Sequence, residues 1–179
     1  MNNVMLAISG KKNSGKTTLI EKLIPLLQDR GISLCVIKHD GHSFDADVKG
    51  KDTYRFFQAG ARGTAIFDNE KFMVVKHEAV DEAFLSSFFT DVDLVLMEGF
   101  KWTDWPKFEI VREGNSDHHF CDEKHLLGII SDFGYNIEGI PTYNLNNYEE
   151  IANVIENYVN EEKRQEEDEH NLEAVPLEK

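Results

Sequence analysis

The residues with the clearest chemical potential form a glycine-rich loop near the start of the chain. Residues 10–17 read G-K-K-N-S-G-K-T, which fits the phosphate-binding pattern G-x-x-x-x-G-K-S/T. In such a loop, backbone N–H groups converge on the β-phosphate, and the N-terminus of the following helix adds partial positive charge. Lys16 is therefore predicted to reach the β- and γ-phosphates, and the Thr17 hydroxyl to bind Mg²⁺. The residues expected to hold the nucleotide are Gly10, Lys11, Lys12, Asn13, Ser14, Gly15, Lys16, Thr17 and Thr18.

Two carboxylates are candidates for the metal and for the reacting groups. Phosphoryl transfer depends on positioning and charge neutralisation, so it needs an acid for Mg²⁺ and a group that orients the attacking oxygen. Glu98 follows the apolar run 94–97 and is expected beside Lys16 and Thr17. Asp40 ends the neighbouring strand, where it would bind the metal through water or orient a nucleophilic water. Lys16 and Asp40 are thus the candidate catalytic residues.

The base of the nucleotide is harder to derive from the residues. The N-K-x-D element of many GTP-binding proteins is absent. Asp132 follows a predicted strand, and a carboxylate there would accept the two donors of guanine while rejecting adenine. We therefore predict that Asp132 recognises guanine; the alternative is a turn-forming aspartate before Gly134.

Other polar groups leave alternatives open. His39 and His42 lie in a polar loop, and neither is assigned as a general base. Lys101 and Arg112 flank the loop after Glu98 and are the best candidates for a second anionic ligand. The remaining basic candidates are Lys38, Lys51, Arg55 and Lys107, and for each of them a surface charge is the favoured explanation.

The polar segment 117–125 is rich in metal-ligand types. It lacks the paired C-x-x-C order of zinc sites, although His118, Cys121 and His125 would converge if the segment turned. A transition-metal site and an exposed polar loop are the two interpretations.

The pattern of apolar residues predicts an α/β fold, a P-loop NTPase three-layer sandwich with a mostly parallel sheet. The apolar run 4–8 predicts a buried strand and the periodicity of 18–24 a helix, which should end near Arg30-Gly31. Further strands are predicted at 32–37, 94–97, 108–111, 126–130 and 142–145, of which 108–111 is expected to be half-exposed. Helices are predicted at 52–59, 82–89 and 148–159, and the aromatic residues of 82–89 are expected to be buried. A hairpin at 64–67 and 72–75 would give the sheet an antiparallel portion.

Composition sets the domain and compartment expectations. With 179 residues and 41% hydrophobic residues, the chain is expected to form one domain over 1–160. Residues 161–179 are acidic and poor in apolar residues, which predicts a disordered tail. A net charge of −14 argues against nucleic acid and anionic membranes as partners. Two cysteines, no signal-type leader and no apolar run of about 20 residues predict a cytoplasmic protein.

Four segments follow one another along the chain in a distinctive order. They are G-K-K-N-S-G-K-T-T at 10–18, I-K-H-D at 37–40, G-K-D-T-Y-R at 50–55 and M-E-G-F-K at 97–101, followed by Pro106-Lys107. With these segments the chain resembles a known family, the nucleotide-binding B protein of molybdopterin-guanine dinucleotide biosynthesis. The likeness runs from about residue 4 to 160, and the order and spacing of the motifs make it specific.

The resemblance implies a GTP-binding homodimer that assists the guanylyltransferase attaching GMP to molybdopterin. Members are regarded as weak GTPases or GTP carriers rather than as the transferase. Carried over by position, Gly15, Lys16 and Thr17 would bind phosphate and magnesium, Glu98 would lie in the metal region, and the loops 38–47 and 50–55 would line the site. Whether molybdopterin itself binds stays open. Lys11 also coincides with an extra lysine of dimeric ATPases, although Lys12-Asn13 replaces the glycines of that class.

Three functions are compatible with these residues. The first is an accessory protein that binds Mg-GTP and hydrolyses it slowly. The second is a small-molecule kinase or ligase in which Asp40 accepts a proton from the substrate. The third is a scaffold whose nucleotide acts only as a conformational switch.

Overall fold

The computed structural model describes residues 3–41, 44 and 46–173, the last four of these by backbone alone. The chain divides into two compact units: Met1–His39 with Leu85–Lys179, and Asp40–Phe84. This division is not apparent from composition, which predicts a single domain over 1–160. His42, from the loop predicted to line the site, lies outside the described residues, as do Ser43 and Asp45.

The elements follow the order expected of an α/β chain with an inserted hairpin. They are β1 (Val4–Gly10), α1 (Lys16–Asp29), β2 (Leu34–Lys38), α2 (Asp52–Gln58), β3 (Gly63–Phe67), β4 (Phe72–Lys76), α3 (Glu82–Ser86), β5 (Leu94–Glu98), β6 (Lys107–Val111), a 3₁₀ turn (Glu123–His125), β7 (Leu126–Ser131), β8 (Thr142–Asn144) and α4 (Tyr148–Glu173).

The first unit is built on a six-stranded sheet in the order β2-β5-β1-β6-β7-β8. All of its strand pairs are parallel, with Ile8 beside Glu98 and Gly10 beside Ile110. The α/β prediction and the predicted strand positions are therefore confirmed. Parallel strands end at the same edge of the sheet, so the loops after β1, β5, β6 and β7 are neighbours there.

Both faces of this sheet are buried, which explains the continuous apolar runs 4–8 of β1 and 94–97 of β5. On one face Leu6 and Ile8 of β1 pack in a core with Leu23 of α1 and Ile155 of α4. The opposite face of β1, including Ala7, packs in a second cluster with β5 and with partly buried residues of the loops.

The prediction that β6 is half-exposed is wrong, because all five of its residues are buried. Its alternation comes from charged side chains that are satisfied inside the protein. Lys107 donates to the carbonyl oxygen of Thr103. The Glu109 carboxylate accepts the backbone N–H groups of Phe120, at 2.9 Å, and Cys121, at 2.8 Å. Alternation of apolar and polar residues indicates a strand, but it does not show whether the polar side chains face solvent or form hydrogen bonds inside the protein.

The predicted hairpin is confirmed, but its assignment to the main sheet is wrong. β3 and β4 pair antiparallel, with Phe67 opposite Phe72, and form a separate two-stranded sheet in the second unit. The turn is stabilised by Asp68, whose carboxylate accepts the backbone N–H groups of Glu70 and Lys71. In the same unit, the Phe57 ring of α2 stacks on His77.

The prediction that residues 82–89 form a helix with buried aromatic side chains is only partly correct. The helix α3 ends at Ser86 after five residues, so the aromatic side chains beyond it do not share a helical face. Phe84 and Phe88 are exposed, whereas Leu85 and Phe89 pack against the second core cluster.

The tail prediction is wrong for residues 161–173, which continue α4 as a helix. The apolar residues do end near Val159, but the Glu, Lys, Arg and Gln that follow are strong helix formers. Lys163 also forms an ion pair with Asp93, which precedes β5. Residues 174–179 lie outside the described part of the chain. Across that part, α4 included, the structure contains no helix with the length and apolarity needed to cross a bilayer.

Candidate functional site

The loop between β1 and α1 has the backbone shape that its glycines predict. Gly10 has φ +138°, and a Cβ there would lie 2.7 Å from the carbonyl oxygen of Ile110, which leaves no room for a side chain. Gly15, with φ +97°, caps α1, and neither a side-chain cap nor an acidic residue in the first turn satisfies the helix N-terminus. The first N–H groups of α1 therefore suit an anion.

Lys16 lies against this loop. Its Nζ donates to the carbonyl oxygens of Lys11, at 2.8 Å, and Gly10, at 3.2 Å. Burial lowers the pKa of Lys16, the attraction of Glu98 partly offsets that effect, and the nearby Lys101 and Lys38 lower the pKa further. The edge of the sheet thus carries a cluster of lysines around one carboxylate, within a protein whose net charge is strongly negative.

Thr17 and Glu98 meet as the sequence analysis predicts. The Thr17 hydroxyl donates to the Glu98 carboxylate, with its Oγ1 3.0 and 3.1 Å from the two oxygens. Glu98 is only 7% exposed, and Lys38 Nζ lies 3.0 Å from its Oε1. Hydroxyl and carboxylate oxygens are the ligands that Mg²⁺ prefers, so this pair fits the predicted metal.

A sharp reversal after β5 keeps Glu98 at the edge of the sheet. Gly99 has φ +107° and donates its N–H to the carbonyl oxygen of Ile8 at 3.0 Å. A Cβ on Gly99 would lie 3.4 Å from the carbonyl oxygen of His39. His39 in turn packs its ring 5.5 Å from that of Phe100. His39 is exposed to solvent, and its role stays unassigned.

Ser14 adds a polar group that the protein itself does not satisfy. The Ser14 side chain is fully buried, and its Oγ has no hydrogen-bond partner among the described residues. Buried hydroxyl groups are normally paired, so an unsatisfied one within a phosphate loop is consistent with a ligand that completes it.

Asp40 and the loop 50–55 belong to the second unit. Their assignments, Asp40 as metal ligand or water-orienting group and the loop as part of the lining, stay predictions.

The turn after β6 is attached to the phosphate loop. Lys11 Nζ donates to the carbonyl oxygen of Asn115 at 2.6 Å, and the Asn115 side-chain amide donates to the carbonyl oxygen of Lys12 at 3.0 Å. Sequence reasoning did not identify Asn115. An asparagine in a polar segment carries no pattern that would reveal such a bridge.

Asp132 lies at the end of β7, but its carboxylate already has two partners. Its Oδ2 is 3.1 Å from Arg112 Nε, and its Oδ1 accepts the backbone N–H of Glu113 at 2.9 Å. The role of Asp132 in recognising guanine stays a prediction. Arg112, which the sequence suggested for a second anion, has its Nη1 3.6 Å from the position of a Cβ on Gly15.

The structure does not assemble a metal site in the segment 117–125. His118 pairs with Asp117, whereas His125 lies 2.9 Å from Asp104. Burial raises the pKa of the Cys121 thiol to about 12, and the neighbouring Glu109 contributes in the same direction. Within the described ranges, no three His, Cys, Asp or Glu side chains are grouped to hold an ion. The transition-metal interpretation therefore finds no support. The other interpretation, an exposed polar loop, is also incomplete, because the Glu109 carboxylate binds the backbone N–H groups of Phe120 and Cys121 in this segment.

A family model and long curated relatives match this chain to one family. A family model described as "Molybdopterin guanine dinucleotide synthesis protein B" matches residues 5–132. A "Molybdopterin-guanine dinucleotide biosynthesis adapter protein" of Escherichia coli is 32% identical, over 84% of this chain and 90% of that protein. The protein of the same name from Haemophilus influenzae is 34% identical, over 89% of this chain and 92% of its own length.

The fold has close counterparts among solved structures. A "Crystal Structure of molybdopterin-guanine biosynthesis protein B (mobB)" is 25% identical and superposes with a TM-score of 0.65, covering 87% of this chain and 99% of that one. A crystal structure of Bacillus subtilis MobB superposes with a TM-score of 0.67 at 24% identity, which shows the shared fold.

Proposed function

Because this chain belongs to the molybdopterin guanine dinucleotide synthesis protein B family, we propose that it is a Mg-GTP-binding adapter of molybdenum cofactor biosynthesis. It hydrolyses GTP slowly at most, and it assists the guanylyltransferase that attaches GMP to molybdopterin. The names of the Escherichia coli and Haemophilus influenzae relatives support the adapter role. The contact between Thr17 and Glu98, beside Lys16, is the observation that carries the nucleotide-binding part.

Each residue of the loop has a distinct task in this proposal. The loop N–H groups and the N-terminus of α1 bind the phosphate oxygens, while Lys16 leaves its backbone acceptors and neutralises the β- and γ-phosphates. Thr17 and Glu98 would hold Mg²⁺, which neutralises charge on the phosphate oxygens when bound. Asp40 orients a water in the same proposal.

The electrostatics of the site favour binding over rapid turnover. The charged groups that act on Lys16 are one carboxylate, Glu98, and two further lysines, Lys38 and Lys101. Lysines stabilise phosphate charge, but in their protonated form they do not accept a proton from a nucleophilic water. Glu98 is occupied by Thr17 and Lys38. A slow GTPase with a binding role is the function that this set of groups supports best.

The test is a binding titration of the purified protein with GTP, ATP and Mg²⁺. We expect GTP to bind in preference to ATP. The Lys16→Ala variant should lose at least about 100-fold in GTP affinity, because a partly buried, charge-assisted contact with the phosphates is removed. Lys22→Ala, an exposed lysine of the same helix, is the matched control and should bind as the wild type does. Submicromolar ATP binding without GTP binding, or an unchanged Lys16→Ala variant, would overturn the proposal.

We also propose that the protein is a homodimer that uses the second unit as its interface. The hairpin exposes apolar side chains, with Phe67 82% and Phe72 74% accessible and Ile66 and Val74 also exposed. An isolated two-stranded hairpin is marginally stable in water, so a large apolar surface on it favours a further partner. A second copy presents the same surface, as an isologous interface requires.

A further inference from the structure

Three strand ends bring the phosphate loop, Arg112 and Asp132 together. β1 pairs with β6, and β6 pairs with β7, all in parallel register. The loop follows β1, Arg112 follows β6 directly, and Asp132 follows β7 directly. Since the ends of parallel strands share one edge, Arg112 stands next to the loop and Asp132 stands next to Arg112.

Arg112 is fixed by its backbone and by its side chain. Its N–H donates to the Ser116 hydroxyl at 3.2 Å, and its carbonyl oxygen accepts the Ser116 N–H at 2.9 Å. The guanidinium is held through Nε by Asp132, whose other oxygen is fixed by the Glu113 backbone. The arginine therefore has a defined direction even though its side chain is partly exposed.

The guanidinium faces the backbone of the phosphate loop. Its Nη1 lies 3.6 Å from the position that a Cβ on Gly15 would take. A guanidinium has five N–H donors in a planar fork, and the contact with Asp132 is made through Nε, so the Nη groups have donors for another acceptor. The Asn115 bridge to Lys11 and Lys12 keeps the whole turn against the loop.

We propose that Arg112 donates to the phosphates of the bound nucleotide and that Asp132 is the positioning residue that holds Arg112, rather than the residue that recognises guanine. Both carboxylate oxygens of Asp132 are already hydrogen-bond acceptors within the protein. Recognition of guanine by Asp132 would require two further donors at the same oxygens. The inference rests on the proposed binding of nucleotide, and it adds a phosphate-binding arginine to that site.

The test measures GTP and ATP affinities for Arg112→Ala, Asp132→Asn and the double variant. A charged hydrogen bond to phosphate predicts that Arg112→Ala weakens both nucleotides by a similar factor, roughly 10- to 100-fold. Asp132→Asn should weaken both by a smaller factor and leave the GTP to ATP ratio unchanged. The double variant should bind no more weakly than Arg112→Ala, because Asp132 acts through the arginine.

Controls separate this inference from the proposed function. Arg164→Ala, an arginine on the surface of α4, should bind as the wild type does, and the thermal midpoints of all variants report on folding. Full affinity of a folded Arg112→Ala variant would refute the inference while Lys16→Ala still tests the site. A selective loss of GTP over ATP in Asp132→Asn would refute the positioning role. A wild type that binds no nucleotide would remove both proposals.

Discussion

The two units of this chain handle their side chains in opposite ways. At the edge of the parallel sheet, polar groups are buried or paired: Glu98 with Thr17 and Lys38, and Asp132 with Arg112. On the hairpin of the second unit, apolar side chains such as Phe67 and Phe72 face solvent. The first region concentrates charged groups around the phosphate loop, whereas the second leaves apolar area exposed. In the proposed function, ligand binding and association are therefore carried by different units of the chain.

Among the substitutions that test this difference between the two units, Gly10→Ala is expected to have the largest effect on stability and nucleotide binding. The added Cβ would meet the carbonyl oxygen of Ile110 at 2.7 Å, and the φ of +138° is rarely adopted by alanine. The variant should lose about 3 kcal/mol or more of stability, and it should also lose nucleotide binding because the loop must move.

The matched control for Gly10→Ala is Gly134→Ala, where a Cβ meets open space. Chemical denaturation gives the free energy of unfolding of both variants, and a titration gives their GTP affinity. A Gly10→Ala variant with wild-type stability and binding would show that the loop is not held as tightly as its contacts imply.

The second-largest effect is expected on the hairpin, in association rather than folding. Phe67 and Phe72 face each other across the two strands and are exposed, so replacing both by serine should change the free energy of unfolding of the monomer by no more than about 0.5 kcal/mol. If they are buried between two copies, the dimer dissociation constant should rise roughly 100-fold or more, because each substitution acts twice.

Sedimentation velocity over a range of concentrations measures this change. Trp102→Ser is the control, since Trp102 is 80% exposed but belongs to the first unit. Dissociation caused by Trp102→Ser and not by the hairpin substitutions would reverse the assignment of the two regions. A wild type that stays monomeric throughout would remove it.

A smaller loss of stability is expected when the buried carboxylate of Glu109 in the first unit is neutralised. Glu109 accepts the backbone N–H groups of Phe120 and Cys121, which hold the segment after β6. In Glu109→Gln one acceptor oxygen becomes an amide donor facing an N–H group. The variant should lose about 1–3 kcal/mol of stability. Glu113→Gln, on an exposed side chain, should lose almost none. Equal stability of the two variants would contradict the structural role.

Much of the site could be predicted because local rules dictate it. The G-x-x-x-x-G-K-T spacing, an apolar strand ending in Glu98 and the parallel order of strands together place Thr17 beside Glu98. The limits were set by contacts between distant residues. No pattern shows that Asn115 bridges the phosphate loop, or that Lys107 and Glu109 are buried rather than solvated.

The same reasoning explains the errors in the second unit and at the end of α4. A hairpin pattern predicts two paired strands but not the sheet that they join. The composition of residues 161–173 indicates only that they cannot build a core. Their helix depends on intrinsic propensity and on the pairing of Lys163 with Asp93, which lies 70 positions earlier. The spacing of apolar residues reveals neither the helix propensity of the polar residues nor an ion pair between distant positions.

The smallest expected effect concerns that ion pair and the pH. Burial tends to raise the pKa of Asp93, but hydrogen bonds from Lys163 and Ser33 outweigh it, so the pKa lies below its usual value. A lowered pKa in the folded state stabilises the protein above the unfolded-state pKa of about 4, and this contribution is lost as the pH falls through the lower, folded-state pKa.

The Lys163→Met variant separates the pair from the general effect of acid. At pH 7 it should be less stable than the wild type by about 1 kcal/mol or less, as for other partly exposed pairs, and the difference should shrink below about pH 4. Hydrogen exchange should show faster opening of α4 around Lys163, where the pair connects the helix to the residue before β5. Arg164→Met, one position along the helix, should show neither change. The stability difference between Lys163→Met and the wild type could instead persist undiminished at pH 3. Lys163 would then stabilise α4 by packing its methylene chain, and this part of the helix would be held by apolar contacts, as its first turns are.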